Sequence, residues 1–229
     1  MKKRLIGSIL SAVVLATCAV GAWDADFEPS SYNPDVDEIV TFAICEPCLD
    51  GGTYTYRWDF DGDGALDLET ERPTVEHVFT TAGFYEVELT LVDELGRRKT
   101  GLKGILVGRM PAYAVRETVE QGDGTTFVLI TVHVGAVISV PAFQESMPRG
   151  WQFEILDDGG ALTRMNSAER LYEVVWMSAA DEVTELTFSY RLHPTNSSGP
   201  ITPLDGTFSG YMGSERFSGP ICGELTIEH

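Results

Sequence analysis

Tyr56-Arg57-Trp58-Asp59-Phe60-Asp61-Gly62-Asp63-Gly64, followed further on by Gly83-Phe84-Tyr85-Glu86-Val87-Glu88-Leu89-Thr90-Leu91-Val92-Asp93, decides the fold. Trp58 and Phe60 stand two residues apart, so on an extended chain both face one way. Tyr85, Val87, Leu89 and Leu91 repeat that period of two, and Glu86, Glu88 and Thr90 take the opposite side. Apolar residues on one face and polar on the other make a half-buried strand, because a helix would need a period near 3.6. The Gly and Asp residues after Trp58 are turn formers.

Working outward, Val40, Phe42 and Ile44 share one face of a strand expected over about Glu38 to Cys45. Nearly every later segment alternates in the same way between turn signals, and none shows a sustained, capped helical period. Asn166 to Leu171 is expected to be a loop. A strand around Lys103 to Val107 closes a first unit, and Arg109-Met110-Pro111 marks the seam, since proline cannot extend a sheet ladder. So short a linker predicts two units in contact.

Lys2, Lys3 and Arg4 precede a short apolar run from Leu5 to Ala16, and Val20-Gly21-Ala22 offers small residues for cleavage. This is the pattern of a signal peptide over residues 1–22, with an apolar run too short for a permanent span. Leu15-Ala16-Thr17-Cys18 also approximates a lipobox, so a lipid anchor at Cys18 is the alternative to free secretion. The expected location is therefore outside the cell, at the cell surface or in the periplasm, with no transmembrane segment in the mature chain. The formal charge is −19, and losing the three basic residues of the leader takes it to −22. Such a surface repels phosphate and argues against a nucleic-acid partner.

Export permits disulfides. Cys45-Glu46-Pro47-Cys48 reads as a local disulfide between Cys45 and Cys48, since no thioredoxin-like pattern or second CxxC accompanies it. Cys222 is left as a buried thiol, an intermolecular link, or a partner of one of the other two.

Residues from about Asp24 to Gly108 resemble the PKD (polycystic kidney disease) domain family. Three ordered stretches carry the resemblance: Tyr56 to Gly64, with its Trp-Asp-Phe and Gly-Asp-Gly; Glu76-His77-Val78-Phe79; and Gly83 to Asp93. The resemblance implies an immunoglobulin-like β-sandwich without a catalytic centre, serving in adhesion, spacing or ligand contact outside the cell. Trp58 and Phe60 are then core, packed against the Tyr85 to Leu91 face. The expected architecture is all-β: two tandem immunoglobulin-like β-sandwiches after a signal peptide, at residues 23–108 and 109–229.

Asp59-Phe60-Asp61-Gly62-Asp63-Gly64-Ala65-Leu66-Asp67 follows the first nine positions of a calcium loop of EF-hand type, including the glycine at the sixth. Asp59, Asp61, Asp63 and Asp67 are the candidate Ca²⁺ ligands, because alternating aspartates turn several oxygens toward one hard cation. Thr70 stands where the closing glutamate belongs, and Asp59 has a competing structural role in the PKD motif.

In the second half, Gln121-Gly122-Asp123-Gly124 predicts a hairpin between strands Tyr113–Glu120 and Thr125–Val134. Further strands are expected at Gln152–Leu156, Leu171–Trp176, Glu185–Leu192, Asp205–Tyr211 and Gly223–Ile227. The passage Glu145 to Phe153, with Met147-Pro148-Arg149-Gly150-Trp151, resembles one in β-sandwich modules of prokaryotic surface proteins. Trp151 and Trp176 lie within apolar alternation and read as core; exposed, they could stack on sugars. No zinc-protease His spacing, serine elbow or phosphate loop occurs. The expected function is a non-catalytic exported protein contacting a cell-surface protein or polysaccharide. A carbohydrate-binding accessory protein is the first alternative, and a carboxylate-dependent hydrolase the second.

Overall fold

The computed structural model describes residues 24–45, 49, 51–181, 184, 186–195 and 201–228. The expected signal peptide, Cys18 and Cys48 lie outside these residues. Every regular element described is a strand. The first half supplies β1 (Phe27–Pro29), β2 (Ile39–Ile44), β3 (Tyr54–Asp59), β4 (Leu68–Thr70), β5 (Thr74–Val78), β6 (Gly83–Asp93) and β7 (Arg98–Val107). Next come β8 (Ala112–Glu120), β9 (Thr126–Val134), β10 (Ile138–Ser146), β11 (Trp151–Asp157), β12 (Leu162–Asn166), β13 (Leu171–Val175) and β14 (Ala179–Ala180). The chain closes with β15 (Leu186–Pro194), β16 (Ile201–Pro203), β17 (Gly206–Met212), β18 (Glu215–Pro220), β19 (Cys222–Glu224) and β20 (Thr226–Glu228).

Two cores form. The first is buried between the small sheet β1-β2-β5 and strands β3, β6 and β7. Phe27 and Phe42 meet Trp58 across it at ring separations of 5.1 and 5.6 Å, and Phe60 stacks on Trp58 at 5.5 Å. Trp58 and Phe60 are core, as expected, but their placement differs. Trp58 pairs with Leu89 in one sheet, so the Tyr85 to Leu91 face lies beside it and Phe27 and Phe42 lie opposite. Period-two alternation fixes which side a residue faces and is silent on which strand it opposes.

The second core lies between β8, β9, β11 and β15 on one side and the sheet β12-β13-β10-β17-β18 on the other, where Phe143 meets Phe188 at 5.2 Å. Trp151 and Trp176 are both 3% exposed, and their indole N–H groups donate to Thr202 Oγ1 and the Gly159 carbonyl at 3.1 and 3.0 Å. Strand β10, central in its sheet, has no counterpart in the sequence reading. Pro141 interrupts it, Val140 takes φ 49°, and the register shifts between Ser139 and Ala142. A bulge with a proline hides a strand from a search for unbroken alternation.

The halves share more than a seam. One nine-stranded sheet runs β11-β15-β9-β8-β19-β7-β6-β3-β4 through both sandwiches. Its joining strand, β19, pairs antiparallel with β7 and parallel with β8. The strand expected over Gly223–Ile227 is two strands: β19 in this sheet, and β20 paired with β16. Gly223 makes the insertion possible. It sits at φ 83°, and a Cβ there would lie 2.2 Å from the Arg116 carbonyl oxygen.

Candidate functional site

The turn between β3 and β4 is built by its aspartates. Asp59, at the end of β3 and buried, accepts the N–H groups of Asp61 at 3.2 Å, Gly62 at 2.7 Å and Gly64 at 2.7 Å. Asp67 accepts the Phe60 N–H at 2.8 Å. Gly62 and Gly64 take φ 72° and 81°, which lets the chain curl around the Asp59 carboxylate. One oxygen each from Asp59, Asp61 and Asp67 lies within 4.8 Å of the others. Asp63 is not in that cluster, and its Oδ1 accepts the Ala65 N–H at 2.7 Å. Beneath the turn, His77 stacks on Phe60 at 4.0 Å. Burial lowers the pKa of that imidazole, with Asp67 and Asp61 pulling the other way.

A second polar set closes the junction of the halves. Lys103 Nζ on β7 lies 2.8 Å from Asp26, 2.9 Å from Glu224 on β19 and 3.7 Å from Glu28. Burial opposes the ammonium, but the carboxylates around it, Glu224 foremost, outweigh burial and hold it well above the ordinary lysine range. Burial pushes the Glu224 carboxyl up, and Lys103 pulls it back.

A third set sits in the second core. Arg116 Nη2 donates to Glu145 Oε2 at 2.8 Å, and Tyr190 donates its hydroxyl to Glu145 Oε1 at 2.9 Å. Arg116 Nη1 reaches the Glu224 carbonyl at 2.7 Å, tying this set to β19. Both charged side chains are almost fully buried. Sequence reasoning missed these residues, yet a signal exists. Lys103 falls in phase with Ile105 and Val107, Arg116 with Ala112 and Ala114, and Glu145 with Phe143, so each is a charge in an inward slot.

Cys45 is disulfide-bonded and Cys222 is a free, buried thiol, which burial pushes up to about 12. A thiol held there is protonated at neutral pH and a poor nucleophile. An open trough of about 430 Å³ lies on the outer face of β12, β13, β10, β17 and β18.

The PKD family model matches residues 35–104, which hold the aspartate turn, β2 to β6 and most of β7. Residues 35–104 form a PKD domain. No curated protein matches the chain. Among solved structures, the chain is similar to carbohydrate-binding modules of the β-sandwich superfamily, at 15% identity over 92% of this chain and 100% of the other, with a TM-score of 0.36. It is also similar to the collagen adhesin CNA of S. aureus, at 7% identity over 91% and 97%, TM-score 0.34. A chitinase, ChiA74 from Bacillus thuringiensis, matches at 9% identity over 74% of this chain and 26% of the enzyme, TM-score 0.41. At TM-scores this low, none of the three carries an argument about what surrounds or binds the PKD domain here.

Proposed function

We propose that this is a non-catalytic exported protein that makes contacts at the cell surface, a PKD domain held rigidly against a second sandwich. The PKD match at residues 35–104 carries the reading. The buried ion pairs support it, because their members are engaged in structural sets: Arg116 with Glu145 and Tyr190, and Lys103 with Asp26 and Glu224. A catalytic carboxylate needs access to substrate, and Glu145 has none. The test is capture of material from the parent cell envelope by the full mature chain, set against a screen of hydrolase substrates. Turnover that vanishes on replacing one carboxylate, while the fold survives, would overturn the reading.

Calcium stabilisation of the PKD domain belongs to the same proposal. Two oxygens on opposite sides of a calcium ion stand roughly 5 Å apart, which three carboxylates within 4.8 Å can match. Asp61 and Asp67 are the better donors, since Asp59 already accepts three backbone N–H groups. Melting of the full chain in chelator and in millimolar calcium tests this. The expected result is a rise in Tm with calcium that Asp61→Asn abolishes; superimposable melts would remove calcium from the proposal.

A further inference from the structure

We infer that the outer face of the sheet β12-β13-β10-β17-β18 is a binding trough for a carboxylate-bearing polysaccharide, a partner class that rests on the surface-contact reading above. Residues on successive strands line up across this face by register: Leu162, Val175, Ala142 and Ser209 in one row, and Arg164, Glu173, Gln144 and Thr207 in the next. Small and hydroxyl-bearing side chains thus form the floor, at Ala142, Ser209 and Thr207. The guanidiniums stand at opposite rims, Arg164 on β12 and Arg216 on β18. Four inter-strand spacings separate those edges, about 19 Å. A site that long accepts a stretch of polymer.

Charge selects the polymer. The charged residues lining the trough are Arg164, Arg216 and Glu173. Glu173 is engaged from two sides, accepting from Gln144 at 3.2 Å and lying 3.4 Å from Arg164 Nε. Arg216 has no carboxylate partner among the described residues, although the chain carries 35 acidic side chains against 16 Lys and Arg. An unpaired guanidinium on so acidic a protein is a local reversal of sign. Its planar fork of N–H donors matches a carboxylate. Repulsion from distant acidic groups is screened over about 8 Å at physiological ionic strength.

The floor separates a glycan from a peptide. Strands β10 and β17 are paired on both edges, so they offer no free backbone N–H or C=O to an added strand. Recognition falls to hydroxyl and amide side chains, which both donate and accept and so suit a hydroxyl-rich ligand. Leu162 and Met177, 63% and 70% exposed, present apolar surface to the C–H faces of sugar rings. Phe143, the one aromatic residue among those lining the trough, is buried, and Tyr211, 39% exposed beside Arg216 on the β17–β18 pair, is the one ring at the rim, so selection rests on charge more than on stacking.

Affinity electrophoresis of the full mature chain through polygalacturonate, through its fully methyl-esterified form, and through polyglutamate tests the proposal. Polygalacturonate should retard the protein and the other two should not. Arg216→Ala and Arg164→Ala should each weaken retardation about tenfold, the loss of one charged hydrogen-bonding partner. Both side chains are exposed, so their melting curves should match the wild type, and Arg72→Ala should bind normally. Equal retardation by the methyl ester would overturn the selection for charge, and retardation by polyglutamate would make the partner an acidic peptide. If no gel retards the chain while it still captures envelope material, the trough fails and the surface-contact reading stands. If it captures nothing in either assay, both fall.

Discussion

Phe27, Phe42, Trp58, Phe60 and Phe79 fill the PKD core with aromatic rings 5.1 to 6.5 Å apart, whereas the second core wraps Phe143, Phe188 and Tyr190 around a buried Arg116–Glu145 ion pair. The two halves therefore solve one problem in different ways. The first relies on apolar area, which is non-directional and tolerates small shifts. The second places directional groups that must be mutually satisfied, because a buried charge without its partner is costly. Arg116 also reaches the backbone of β19, so the polar core of one half helps fix the strand that joins both. The C-terminal segment is thus set by contacts from each side: Lys103 of the PKD half holds the Glu224 side chain, and Arg116 of the other holds its carbonyl.

The largest expected effects probe the cores themselves. Trp58→Ala should cost about 3–5 kcal/mol through lost burial and the cavity it leaves. Glu145→Ala should cost a similar 3–5 kcal/mol by stranding Arg116. The halves should part company on rescue. Arg116→Met combined with Glu145→Leu should recover part of the loss, since an apolar pair replaces a buried ion pair at little net cost while the Tyr190 hydroxyl and the Glu224 carbonyl lose their partners. Chemical denaturation of the three variants reads this, and failure of the double variant to recover would show that the arginine's reach to β19 matters more than the pair.

The junction comes next. Glu224→Gln should cost about 1.5–3 kcal/mol, because the buried Lys103 ammonium keeps a hydrogen-bond acceptor there but loses a counter-charge. If β19 couples the halves, wild type melts in one transition and this variant in two, by calorimetry. Lys103 adds a pH signature. Its pKa is raised on folding above an ordinary 10.5, so its stabilisation is complete below pH 10.5 and is lost as pH climbs through the folded-state value. The stability gap between wild type and Lys103→Met should be constant at neutral pH and shrink in strong alkali. A constant gap throughout would mean the ammonium is not held by its carboxylates.

The smallest effects lie in the aspartate turn. Without calcium, Asp59→Ala should cost about 1–2 kcal/mol, like the loss of a helix cap, because three backbone N–H groups lose their acceptor. Asp63→Ala, exposed and outside the cluster, should change stability by less than about 0.5 kcal/mol. Equal effects in urea melts would contradict the division of labour seen in the turn.

The PKD half is legible because its information is local. Trp58 and Phe60, or Tyr85 through Leu91, declare their facing by spacing alone, and the Asp and Gly residues after Trp58 declare a turn. The aspartate turn was only partly legible. Four acids at alternate positions announce a cluster, but which oxygens converge depends on how the backbone curls around Asp59. In the second half the legible strands are those with unbroken alternation, such as β8 and β9. Strand β10 was hidden by its bulge, and β18, with Gly219 and Pro220, by its weak strand composition.

The sequence by itself determined that this protein is all-β, that a PKD domain leads its described part, and that its tryptophans Trp58, Trp151 and Trp176 are buried, because each follows from period-two spacing or a local motif. The tertiary structure alone decided that β19 returns from the far end of the chain to join the sandwiches, that Lys103, Arg116 and Glu145 are paired in the interior, and that Arg164 and Arg216 face each other across one trough. Those facts are pairings between residues distant in sequence. An inward slot in an alternating strand says that a residue is buried; only the fold supplies the opposite charge that makes burying Lys103 or Arg116 affordable.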